Sequence, residues 1–307
     1  MGADLPDPRT MTATVARTLD EAIREFDWAA LPPGVRPIRY RVPSGELAGV
    51  AAGDERAPRI LLVPGSTGSK EDFAFMAPLL VRAGYRVEGF DLAGQYESSD
   101  AGPERLVPPR PRYDYDLFLG DLLAVIRAGR TPVHLLGYSF AGTLAQLVTT
   151  MHPELIASLT LLSTPPVSGQ VFRRMRGYGG LAALLSRFTG ARVAGGLMLW
   201  GIRTNKNHVG ERRYRFVMDR LIRTRRSSVD DISRLMRRTP DVAEELRAVP
   251  IPKLVAFGSH DLWAPRHHRA LAARIGAEAV EYETGHSPCE TTPHQLVRDM
   301  LRVIERR

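Results

Sequence analysis

HLLGYSFAGTLAQL, residues 134–147, decides how the rest of the chain is read. Residues 132–137 (PVHLLG) read as a strand and residues 139–151 (SFAGTLAQLVTTM) as a helix, with almost nothing between them. At the junction, Gly137-Tyr138-Ser139-Phe140-Ala141 is one methyl group away from G-x-S-x-G. That turn presents a serine hydroxyl above a sheet for nucleophilic attack. A string so short recurs by chance, and taken alone Ser139 reads first as an ordinary helix N-cap. Its meaning depends on what stands at the other strand ends.

Outward from the junction, short apolar runs alternate with helical stretches. A helical pattern near residues 11–29 is followed by the break LPPG, and residues 38–42 and 46–52 read as a pair of opening strands. RILLVPG (59–65) and YRVEGFD (85–91) are strands that flank a helical stretch over 71–83, which carries Pro78 and stops at Gly84. Residues 114–129 place Leu117, Leu122, Leu123 and Ile126 at helical spacing, and SLTLLST (158–164) is a further strand. The alternation pauses over residues 166–248, which read as helical with Gly-rich joints such as 177–180. It resumes with a strand at 252–258, a helix at 265–275, a strand at 277–283 and a last helix near 290–305.

Strands alternating with helices predict an α/β fold: a mostly parallel central sheet, helices on both faces, and an inserted helical cap over the strand ends. The expected organisation is an N-terminal helical extension (1–35), a core formed by 36–165 and 249–307, and a cap insertion at 166–248.

The chain of 307 residues is 44% apolar and 25% charged, ordinary values for a water-soluble protein. It has no apolar run near 18 residues and no apolar leader at its start, so neither membrane insertion nor secretion is expected, and the default is cytoplasmic. Cys289 is the single cysteine, which excludes an internal disulfide and a cysteine-based metal cluster. Arginine outnumbers lysine 39 to 3, a coding bias that suggests a GC-rich bacterial genome.

The net charge of +8 is concentrated: residues 171–250 hold 18 basic against 7 acidic side chains. In ERRYRFVMDRLIRTRR, Tyr214, Val217, Met218, Leu221 and Ile222 share an apolar helical face, which leaves Arg212, Arg213, Arg220 and Arg223 on a solvated one. The sharper reading of the basic region is attraction of an anionic substrate or an acidic carrier partner. Nucleic acid is not expected, because no RNP-like motif or zinc finger occurs.

In open parallel sheets, functional groups gather at the carboxyl ends of the strands. Ser139 follows one predicted strand, Asp261 lies in SHDLWAP after another, His286 lies in TGHSP after a third, and the loop STGS follows RILLVPG. With the chain order Ser, Asp, His and the motifs VPGSTGS, DLAGQYES, GYSFAG, GSHDLWAP and GHSPCETTP in register with strand ends, the chain resembles the capped, serine-nucleophile branch of the α/β-hydrolases from about residue 36 onward.

That resemblance implies a catalytic triad of Ser139, Asp261 and His286, with an oxyanion hole formed by the backbone N–H groups of Phe140 and Ser66. It implies a cofactor-free, metal-free serine hydrolase acting on a small carboxylic ester, lactone or thioester through an acyl-enzyme on Ser139. C–C bond hydrolysis, cofactor-free haloperoxidase-like chemistry and acyl transfer remain open on the same scaffold. So does a non-catalytic module that binds a ligand or a carrier protein.

The chain departs from the family at three positions. Ala141 stands for the second elbow glycine, Pro64 for a frequent histidine, and Tyr96 for a glycine of the segment after the fourth strand. Of the remaining candidates, His134 reads as structural and Cys289 as packing filler. His260, His267 and His268 read as surface or loop residues rather than metal ligands. Met198, Leu199 and Trp200 read as pocket lining or cap packing.

Overall fold

A computed structural model describes residues 6–306 apart from 25, 29 and 168–209. Its elements run α1 (Ala13–Glu21), β1 (Arg36–Val42), β2 (Gly45–Ala52), β3 (Arg59–Val63), α2 (Met76–Arg82), β4 (Arg86–Phe90), α3 (Tyr115–Arg127), β5 (Val133–Tyr138), α4 (Phe140–Met151) and β6 (Ile156–Leu162). After the insertion helices α5 (Glu211–Arg223), α6 (Arg226–Leu235) and α7 (Ala243–Ala248) come β7 (Lys253–Gly258), α8 (Pro265–Ile275), β8 (Glu278–Tyr282), α9 (Pro288–Thr291) and α10 (Pro293–Ile304).

The strands form one sheet in the order β1-β2-β4-β3-β5-β6-β7-β8. The opening pair and the β2–β4 contact are antiparallel; all other neighbours are parallel. Strands apolar on both faces belong inside a sheet covered on both sides, and the side chains divide with period two. Leu61, Val63, Leu135, Leu159, Leu161, Val255 and Phe257 face one core with α3, α4 and α8. Ile60, Leu62, Leu136, Leu162, Leu254 and Ala256 face the other with α2 and α10.

Three helices differ from the expected spans. The first ends at Glu21 rather than near 29, and beyond it Phe26 and Trp28 turn into an aromatic cluster with Phe75 and Phe216. The stretch over 71–83 divides into a 3-10 turn (Lys70–Phe73) and α2, where Pro78 sits in the first turn and sacrifices no helical hydrogen bond. The last helix breaks at Thr292, since the residue before Pro293 disfavours helical geometry.

The insertion is docked by buried charge, which corrects the solvated reading of two arginines. Arg213 and Arg220 lie two turns apart on α5, and both reach Oδ1 of Asp72, at 2.9 and 2.6 Å. Arg213 also pairs with Glu290 of α9 and lies 4.1 Å over the Trp28 ring; Arg220 donates to Ser69 Oγ at 3.1 Å. The buried face of α5 is therefore Arg213, Phe216, Arg220 and Leu221, while Ile222, expected on the apolar face, is 77% exposed. The carboxylates of Asp72 and Glu290 turn the helix this way, since each buried anion needs a partner. Elsewhere on the insertion, Arg215, Arg223, Arg225, Arg226 and Arg234 pair with Glu211, Asp219, Glu104, Asp230 and Asp231, which tempers the field of the basic region.

Arg213→Met strands buried carboxylate charge and should lower the unfolding free energy by about 3–5 kcal/mol in urea titrations. Ile222→Ala should leave it within about 0.5 kcal/mol, and equal effects would contradict the docking role. In β5, burial pushes the His134 imidazole down from 6.5 to about 4. The unfolded chain then binds the extra proton between those values, so this group's contribution is present above pH 6.5 and is lost as pH falls toward 4. His134→Leu should remove up to about 3 kcal/mol of that acid-side loss, measured as the difference between wild-type and variant stability at pH 7 and pH 4.5.

Candidate active site

β3 and β5 are neighbours, yet β3 continues to β4 on one side and β5 to β6 on the other, so the loops after them diverge. The crevice opened at such a switch point is where ligands bind in sheets of this kind. Ser139 stands at its edge. Its backbone has φ 52° and ψ −121°, a region that disfavours side chains, and it is held there by donation of its N–H to Leu162 O at 2.8 Å. The following helix packs tightly against the strand ends: a Cβ at Gly142 would come within 1.8 Å of Thr164 Oγ1. Ala141 is fully buried without such a conflict, so the bare position this elbow needs is 142 rather than 141.

The other two residues of the expected triad arrive from β7 and β8. Their loops are laced together, His260 N–H donating to Thr284 O at 2.9 Å and Ser259 N–H to Tyr282 O at 2.7 Å. Gly258 permits this approach, since a Cβ there would stand 2.0 Å from Gly285 O. The result is a continuous hydrogen-bonded chain. His286 Nε2 is 3.1 Å from Ser139 Oγ, and His286 Nδ1 is 2.6 Å from Asp261 Oδ1. Asp261 also accepts from Leu262 N–H at 2.6 Å.

Burial alone would raise the Asp261 carboxyl. Electrostatic attraction to His286 and the polar contacts of His268 and His286 outweigh burial and hold it well below the usual carboxylate range. The His286 ring is flanked by Tyr138 and Trp263, at centroid distances of 5.3 and 5.6 Å, while part of its edge stays open to solvent.

The two residues expected to supply oxyanion donors flank Ser139 from different elements. Phe140 is the first residue of α4, where a backbone N–H has no acceptor within the helix. Ser66 follows Gly65, and a Cβ on Gly65 would come within 2.8 Å of Ser139 Cβ, so this loop lies against the serine. Gly68 N–H to Gly65 O closes the loop, and Gln95 Oε1 accepts from Thr67 N–H at 2.8 Å. Gln95 in turn donates to Ser228 Oγ of α6 at 2.6 Å.

Several contributors lay beyond sequence reading. Gln95 had no signal apart from its place in DLAGQYES, and no motif or spacing marks Asp72 or Glu290. Tyr96 adopts φ 40°, explaining why a glycine would suit the position, and its ring packs on Phe216 of α5 instead of standing open. His268 corrects the expectation of a surface residue: it is completely buried beside Asp261. Met198, Leu199 and Trp200 lie outside the described residues. Among the described residues no cluster of His, Cys, Asp and Glu is arranged to hold a metal ion, and no helix is long and apolar enough to cross a membrane.

Comparison with known proteins agrees with this architecture. The model of the alpha/beta hydrolase family matches residues 60–299. A human serine hydrolase-like protein is 29% identical over 137 residues, 44% of this chain and 64% of that protein. The chain thus spans less than two thirds of the length of the curated relatives it matches. Bromoperoxidase from Bacillus anthracis superposes with a TM-score of 0.69 at 17% identity, over 88% of this chain and 100% of that one. The enol-lactonase from Burkholderia xenovorans LB400 gives 0.65 at 20% identity, over 88% and 100%. With the family model running from β3 through β8, the chain belongs to the alpha/beta hydrolase family.

Proposed function

We propose that the protein is a serine hydrolase that cleaves a small carboxylic ester, lactone or thioester through an acyl-enzyme on Ser139, with Asp261 and His286 completing the triad. The observation that carries this reading is the Ser139–His286–Asp261 hydrogen-bonded chain at the crevice, with the serine held in a strained turn. A serine hydroxyl is a weak nucleophile until a base removes its proton, and His286 Nε2 is within reach of it. Asp261, ionised and buried, keeps the imidazole proton on Nδ1, so Nε2 offers its lone pair to Ser139.

Ser139 Oγ attacks the acyl carbonyl carbon as its proton passes to His286 Nε2. The electron pair displaced onto oxygen is met by the N–H groups of Phe140 and Ser66, each such donor contributing about 3 kcal/mol in the transition state. Collapse breaks the bond to the leaving alcohol or thiol, which departs with the Nε2 proton. Water then gives a proton to Nε2, adds to the acyl carbonyl, and releases the acid while Ser139 regains its hydrogen. No step requires a metal or cofactor.

The proposed organisation assigns 36–165 and 249–307 to the catalytic core, 166–248 to a cap and 1–35 to an extension that braces the cap through Trp28 beneath Arg213. The enol-lactonase likeness is a likeness of fold, and the lactone option for this chain rests on the triad chemistry.

An active-site-directed fluorophosphonate should label the native protein, with the adduct mapped to Ser139, and should not label a heat-denatured control. Ser139→Ala and His286→Ala should each reduce hydrolysis of a p-nitrophenyl ester by at least about 1,000-fold without changing the unfolding midpoint. Asp261→Asn should be impaired by about 1,000- to 10,000-fold, because the amide favours the wrong tautomer. Near-wild-type turnover in the serine or histidine variant would sink the assignment.

A further inference from the structure

Asp261 has two carboxylate oxygens, and the proposed reaction engages one. Oδ1 is occupied by His286 Nδ1 and Leu262 N–H. Oδ2 lies 3.1 Å from Nε2 of His268, a residue of α8 with no solvent exposure. The His268 ring is stacked flat on Phe257 of β7, with centroids 4.6 Å apart and planes 12° from parallel, and Trp263 meets it edge-on at 6.2 Å. The 3.1 Å contact is angled away from the ideal hydrogen-bond line. It is therefore a close approach rather than a formed hydrogen bond, and neither Oδ2 nor either ring nitrogen of His268 has a hydrogen-bonding partner among the described residues.

Elementary electrostatics selects the arrangement of protons here. An ionised carboxylate only accepts, and a neutral imidazole has one N–H and one lone pair. With the proton on Nδ1, a bare Nε2 would face a carboxylate lone pair at 3.1 Å and the N–H would be stranded among aromatic rings. With the proton on Nε2, the donor meets the anion and only a lone pair goes unmatched, the cheaper omission in a buried site. Stacking on Phe257 keeps the ring, and with it Nε2, beside the carboxylate.

We propose that His268 is a positioning residue of the triad: its Nε2–H donates to Asp261 Oδ2 and holds the carboxylate so that Oδ1 stays aimed at His286. The proposal rests on the reading of Ser139, His286 and Asp261 as a nucleophilic triad. Rotation about the bond to the carboxyl group would otherwise move Oδ1 off His286, and a second anchored oxygen prevents it. The same donor keeps negative charge on Asp261 while His286 carries a proton, so the proton stays on the imidazole. Phe257 and Trp263 thus act through His268, packing its ring beside Asp261.

Nitrogen-15 NMR of the histidine-labelled wild-type protein tests the contact without reference to activity. The proposal requires a proton on His268 Nε2; a bare Nε2 would overturn it. The second arm is the rate of fluorophosphonate labelling of Ser139. His268→Leu, matched in burial, should label about 10- to 100-fold more slowly at an unchanged unfolding midpoint. His268→Gln, whose side-chain amide carries an N–H near the same place, should recover to within about fivefold of wild type.

Labelling of the leucine variant within about threefold of wild type would overturn the positioning role, as would equal slowing of folded leucine and glutamine variants. Should the leucine variant fail to fold, a glutamine variant slowed more than about tenfold overturns it and one within fivefold supports it. Absence of any labelling in the wild type would overturn the nucleophile reading itself, a failure distinct from a bare Nε2 in the spectrum.

Discussion

The backbone of Ser139 is held where a serine does not choose to be. A side chain at φ 52° and ψ −121° costs on the order of 1–3 kcal/mol, and the surrounding structure must supply the restraint. Donation to Leu162 O ties the elbow to β6, the start of α4 leaves its first N–H groups unpaired, and Gly142 lets the helix approach Thr164. A relaxed turn here would tip Ser139 away from His286. The parallel sheet, apolar on both faces and covered by helices on both sides, is stiff enough to hold the strained position.

Among the buried charges around this turn, those at Asp261 and Asp72 have different consequences. At Asp261 the carboxylate keeps its charge through His286, His268 and the Leu262 N–H, so its ionisation is tied to the two imidazoles rather than to solvent. At Asp72 the carboxylate is held by Arg213 and Arg220 from α5, and Arg213 reaches on to Glu290, four residues beyond His286. The insertion is therefore fastened to the loop after β3 and to the helix after the His286 loop. Gln95 repeats the pattern with hydrogen bonds, joining Thr67 to Ser228. Movement of the insertion relative to the core would be felt on both sides of Ser139.

Strand positions were legible because their residues obey local rules. RILLV and VHLLGY are too apolar for anything but a covered strand, and the elements stand within a few residues of their expected limits. The order Ser, Asp, His was legible because each stands immediately after such a strand. Helix limits were less so where a proline constrains the residue before it, as at Thr292, and where aromatics enter tertiary contacts, as at Phe26 and Trp28 beyond Glu21. The solvated side of α5 was misjudged because Arg213 and Arg220 count as polar in any periodic pattern, whereas their partners lie more than 140 positions away in Asp72.

By itself the sequence determined the alternation of strands and helices, the sharp turn at Ser139 and the loops that carry Asp261 and His286, since these depend on spacing and residue type within short windows. Only the tertiary structure decided that His268 lies buried against Asp261, that Arg213 and Arg220 face inward and that Gln95 holds the loop of Ser66. A polar side chain carries no mark of its own fate. Whether it meets solvent or a buried partner depends on which distant elements the sheet order brings together.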